Sequence, residues 1–149
     1  MKMSLLSSGL VAASLLLSAC SPFTRVDRDD PKTLALLDGN WTVRYVAGKE
    51  IQDVSPELNF DTTKGTLTGS DGCNRINGPI TMQDGRLKAK VISTRMACTN
   101  ETARAASQEI NNLLSNGAEV VEVAMGKGRV LLMKNDSAEI RLIPTEYAK

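Results

Sequence analysis

The sequence predicts an α+β domain whose curved antiparallel sheet, half-barrel-like, wraps around one main helix and carries one disulfide. Three observations predict it. Short runs rich in β-branched and aliphatic residues recur along the chain between clusters of Gly, Asn and Asp, the pattern of strands separated by turns. One segment alone, Glu101 to about Asn116, spaces its apolar residues as a helix does. Two cysteines, Cys73 and Cys98, lie in the body of the chain once Cys20 near the N-terminus is set aside.

The elements follow in order. From Ser21 to Lys32, "SPFTRVDRDDPK" is polar and Pro-containing and reads as a short tether. Pro31 is placed to open a turn of helix through Leu37. The expected organisation is a signal segment at 1–19, a tether at 20–36 and one domain at 37–145, as the length of 149 residues also suggests. "WTVRYVAG" is a strand ending at Gly48. "ELNFD" and "GTLTG" are strands on either side of Thr62-Thr63-Lys64. "INGPITMQ" and "RLKAKVIS" flank Asp84-Gly85, the strongest hairpin dipeptide present. After the helix, "EVVEVAM", "RVLLMK" and "AEIRLIP" read as three meandering strands. In the last, Ile140 and Leu142 share one face while Glu139 and Arg141 share the other, the alternation of a half-buried strand.

In the helical segment, Ala103, Ala106, Ile110, Leu113 and Leu114 form one aliphatic stripe, and Arg104, Ser107, Gln108 and Asn111 face elsewhere. Thr99 or Asn100 serves as N-cap, Glu101 suits the positive first turn, and Gly117 ends the helix. Leu113 reads as core rather than as an anchor for a partner.

The N-terminus reads "MKMSLLSSGLVAASLLLSAC": one early charge at Lys2, an apolar stretch to Leu17, then small residues. The stretch is shorter than the roughly 20 residues a membrane-spanning helix needs and suits a signal-peptide core. Leu17-Ser18-Ala19-Cys20 resembles the bacterial lipobox, which implies cleavage before Cys20 and acyl chains on that residue. Several chains on one residue suffice for stable anchoring. Ser21 follows where inner-membrane lipoproteins commonly carry aspartate, so the expected location is the outer membrane, facing the periplasm.

Composition narrows the chemistry. The chain has no histidine, which removes Ser-His-Asp and Cys-His nucleophile activation and imidazole metal ligation. Without residues 1–19 it carries 17 basic and 17 acidic residues, scattered without runs, so no nucleic-acid partner is expected. Hydrophobic residues make up 42% but aromatics only 3%, so the core must be aliphatic.

With Cys20 assigned to lipid, an oxidising compartment favours pairing of Cys73 with Cys98, closing a loop of about 26 residues. Two free buried thiols are the reading left beside it. Zinc would need more ligands than two thiolates in this spacing, and a catalytic Cys73 would lack an imidazole base. Around Cys73, Ser70 stands outside a G-x-S-x-G elbow, and Asp71 with Asn74 fails the calcium-loop pattern. Arg75 and Arg95 are expected to pair with carboxylates or carbonyls near the crosslink. No metal, cofactor or catalytic residue is expected.

"GCNRING" at Gly72–Gly78, "TRMAC" at Thr94–Cys98, "GNW" at Gly39–Trp41 and the lead-in from Leu58 to Gly69 together resemble the META domain family, in particular its HslJ-like lipoproteins. The likeness covers roughly Leu37 to Ile143. It departs at Ile76 and Ile80, where members often place aromatics. On this resemblance Gly72, Asn74, Arg75, Gly78, Thr94, Arg95 and Met96 are structural motif residues. It implies a small α+β domain with no established enzymatic activity, linked to heat and envelope stress and to antibiotic tolerance. The fold also resembles pilotin lipoproteins, so a chaperone or inhibitor that binds an envelope protein stands as the second expectation.

Overall fold

The structure, a computed structural model, describes residues 31–126 and 128–148. The expected signal segment, Cys20 and the tether as far as residue 30 lie outside the described residues. The chain runs α1 (Pro31–Leu37), β1 (Gly39–Val46), β2 (Lys49–Glu50), β3 (Glu57–Asp61), β4 (Thr66–Ser70), β5 (Arg75–Gln83), β6 (Arg86–Ala89), β7 (Ile92–Ser93), α2 (Glu101–Asn116), β8 (Glu119–Met125), β9 (Gly128–Lys134) and β10 (Glu139–Pro144), then a turn of 3-10 helix at Thr145–Tyr147.

The strands form one antiparallel sheet in the order β6-β5-β4-β3-β1-β10-β9-β8, with β2 added to β1 and β7 to β5. Strand β1 joins the two halves by pairing with β3 on one edge and β10 on the other. The two ends of the sheet meet where Leu87 in β6 and Ala118 before β8 exchange both backbone hydrogen bonds, at 2.8 and 2.9 Å. That bridge nearly closes the curled sheet into a barrel and covers edges that would otherwise invite pairing with another chain. A register shift between Val43 and Tyr45 bends β1, as bulges do.

Alternation decides what faces inward. In β3, Leu58 and Phe60 are buried while Glu57 and Asn59 are exposed. In β10, Ile140 and Leu142 are buried. The expected apolar stripe of α2 packs into this concavity, against β6, β10 and β1. Asn100 caps the helix, its Oδ1 accepting from the Ala103 N–H at 2.9 Å. At the other end the Gly117 N–H donates to the Leu113 carbonyl at 3.0 Å.

Two expectations are corrected. The tether was to reach residue 36, but α1 belongs to the folded body: Leu34 and Leu36 pack against the core and Leu37 is fully buried. Its last carbonyls are satisfied from the sheet, Leu37 by the Trp41 Nε1–H at 2.7 Å and Leu36 by Arg129 at 3.1 Å. "RLKAKVIS" was to be one strand and is two, β6 and β7, both paired with β5. The Lys90 N–H donates to the Pro79 carbonyl, but Pro79 has no N–H to return the bond, so the ladder breaks there.

Candidate functional site

Two segments build the site: the turn Asp71–Asn74 between β4 and β5, and residues 94–98 between β7 and α2. The disulfide Cys73–Cys98 joins them, with Cα atoms 5.4 Å apart. Gly72 takes φ +100° in the turn, a conformation side chains resist; a Cβ there would only touch Ala103 and Pro56 at 3.4 Å, so the backbone angle rather than space calls for glycine. Gly78 answers a different need. A Cβ there would lie 2.2 Å from the Lys90 carbonyl oxygen, so only glycine lets β5 and the Lys90-Val91 link between β6 and β7 approach.

Asn74 and Thr94 clamp the segments beside the disulfide. The Asn74 Oδ1 accepts from the Met96 N–H at 2.9 Å and from the Thr94 hydroxyl at 3.3 Å. The Thr94 hydroxyl in turn accepts from the Arg75 N–H at 3.0 Å. Thr94 and Asn74 therefore serve backbone groups, and Met96 contributes its N–H while its side chain is exposed. Arg75 and Arg95 depart from expectation. Both are exposed, and among the described residues no hydrogen bond or ion pair uses either guanidinium. Among the described residues no carboxylate lies within ion-pair distance of either to offset the entropy of fixing so long a side chain.

The centre of the arrangement is Asp71, fully buried. Its Oδ1 accepts from the backbone N–H groups of Cys73 at 2.9 Å and Asn74 at 2.7 Å. Its Oδ2 accepts from the Ser107 hydroxyl at 2.8 Å and the Asn111 amide at 2.9 Å. Burial pushes the carboxyl up, but the bonds from Asn74, Cys73, Ser107 and Asn111 outweigh it and hold the group below the usual carboxylate range. One ionised side chain thus ties the crosslinked turn to the polar flank of α2. The sequence reads Asp71 as one of the small polar residues of a turn whose calcium pattern fails, and places Ser107 and Asn111 merely away from the core. The signal that marks them is their spacing of four residues on the rim of the apolar stripe.

Among the described residues no group of three or more Cys, Asp or Glu side chains is arranged to hold a metal ion. Chemically, the arrangement fastens: a crosslink, a backbone clamp and a saturated buried carboxylate hold two loops against one helix.

Fold and site together define a small, near-closed antiparallel barrel around a single main helix, with a disulfide-braced turn entering its longest strand. The META domain model matches residues 33–147, and the chain belongs to that family. No curated protein matches it. Two proteins with structures solved by NMR are similar. One matches with TM-score 0.60 and 23% identity over 78% of this chain and 97% of its own. The other, from Burkholderia xenovorans, matches with TM-score 0.55 and 19% identity over 96% of this chain and 97% of its own. At those identities the likeness is one of fold.

Proposed function

We propose that the protein is a non-enzymatic, lipid-anchored META domain protein of the outer membrane, facing the periplasm and supporting the envelope under heat or antibiotic stress. The observation that carries this reading is the Cys73–Cys98 disulfide at the motif site, because disulfides persist in oxidising compartments. The lipobox ending at Cys20 supports it from the sequence. No helix among the described residues is long and apolar enough to cross a membrane. The role without catalysis draws on Asp71, whose two oxygens already receive four donors and leave little capacity for a substrate proton.

Mass spectrometry of the membrane fraction tests the anchor. The expected result is an N-terminal peptide beginning at Cys20 and bearing acyl chains, with Cys20→Ser releasing the protein from the membrane. An unmodified N-terminal peptide in a soluble chain overturns it. A second reading, a pilotin-like chaperone or an inhibitor of an envelope protein, is favoured by exposed Ile92 and Met96 beside the crosslink. Crosslinking in intact cells decides it: one recurrent protein captured through residues 92–96 supports it, and no recurrent protein counts against it.

A further inference from the structure

Away from the disulfide, the outer face of β1, β3, β4 and β5 carries two aligned rows of polar side chains. Register places Asn40 beside Asn59, Asn59 beside Thr68 and Thr68 beside Asn77. The adjacent row runs Arg75, Ser70, Glu57 and ends at Thr42, which is buried with its hydroxyl donating to Thr145. Asn40, Asn59, Thr68 and Asn77 are all exposed, because the alternate positions Leu58, Leu67 and Ile76 are committed to the core. Four strands spaced about 4.8 Å apart make the first row roughly 14 Å long, about the length of a short oligosaccharide.

The rows are recessed. A cavity of about 590 Å³ is lined by Asn40, Trp41, Glu57, Asn59 and Tyr147 among others, and a second of about 440 Å³ by Glu57, Thr68, Ser70, Arg75 and Asn77. They share Glu57 and Gly69, so they form one continuous trough, of the size that holds small ligands. Gly69 contributes no side chain to the shared floor.

We propose that this trough binds a neutral glycan chain. Sugar hydroxyls both donate and accept, and so do the Asn and Thr side chains of the first row. The Asn59 amide donates to the Asn40 carbonyl oxygen, and beyond that bond neither side chain has a partner among the described residues. Thr68, Asn77, Glu57 and Arg75 likewise have no side-chain partner there. Tyr147, 67% exposed at one end, offers an aromatic face to the apolar side of a pyranose ring and a hydroxyl at its tip. Charge selects the ligand class. Asp38, Glu57 and Glu146 stand against the guanidinium of Arg75, with Asp38 Oδ1 engaged by Thr62 and Arg129 occupied by Glu122 and the Trp41 ring. Such a lining repels a polyanion, and the Asn and Thr row itself offers hydrogen bonds, not charge, to the chain laid along it. This site goes beyond the anchoring reading and is independent of it, since Cys20→Ser leaves the trough unchanged.

Isothermal titration of the full mature chain with chitotetraose and with cellotetraose tests the proposal, with fluorescence of Trp41, the only tryptophan, as a second readout. The expected result is saturable binding of at least one tetramer, weakened at least fivefold by Tyr147→Ala and by Asn59→Leu. Both residues are exposed, so both variants should keep the wild-type melting temperature. If one variant fails to fold, the other decides. Absence of saturable binding for both tetramers overturns the proposal. So does affinity unchanged in the folded variants, or tighter binding of a neutral Ser/Asn tetrapeptide than of either sugar.

Discussion

Asp71 carries the most consequence of any single side chain, because removing its charge leaves four donors facing a weaker acceptor in a dry site. In Asp71→Asn the new amide turns an N–H toward two of those donors, and the expected loss is about 3 kcal/mol, measured as a lower urea midpoint. The pH dependence has a definite sign. The folded carboxyl titrates below its unfolded value, so its contribution is complete above about pH 4 and drains away as pH falls through the folded value. Wild-type stability should therefore fall more steeply below pH 4 than that of Asp71→Asn. Equal slopes would show that Asp71 is not the group responsible. Its identity as a turn residue was legible from Ser70-Asp71-Gly72. Its partners were not, for Ser107 and Asn111 lie 36 and 40 residues away and are chosen by how α2 seats in the sheet.

Helix α2 is the element the sequence describes most completely, since stripe, cap and stop are local signals and all appear where spacing puts them. Asn100→Ala removes the bond to the Ala103 N–H and the contact with Asp53, and should cost about 1 kcal/mol by thermal or urea unfolding. A cost near zero would mean that the disulfide two residues earlier already holds the helix start. The strands were less legible where pairing overrides composition. "RLKAKVIS" has an unbroken strand pattern, yet it divides because its neighbour supplies Pro79 opposite Lys90. The short strand β2 has no composition to announce it; it exists because the turn at Ala47-Gly48 returns the chain onto β1.

At the scale of the molecule, the disulfide and the barrel seam are the long-range ties. Replacing both cysteines by serine opens a loop spanned by a sequence separation of 25 and should lower stability by about 3–4 kcal/mol on the chain-entropy account, read from urea unfolding. If the double variant unfolds at the wild-type midpoint, the Asp71 and Asn74 bonds alone suffice to hold the turn. By itself the sequence determined the class of fold, the helix and the family, because periodicity, turn residues and motif spacing are properties of neighbouring residues. It also pointed to the cysteine pair. Only the tertiary structure decided that α1 is part of the body, that Arg75 and Arg95 stand apart from the crosslink, that Asp71 meets α2, and that Asn40, Asn59, Thr68 and Asn77 share a row. Each of those depends on strand register and on the seat of one helix, which arise from the summed burial of a core drawn from the whole domain.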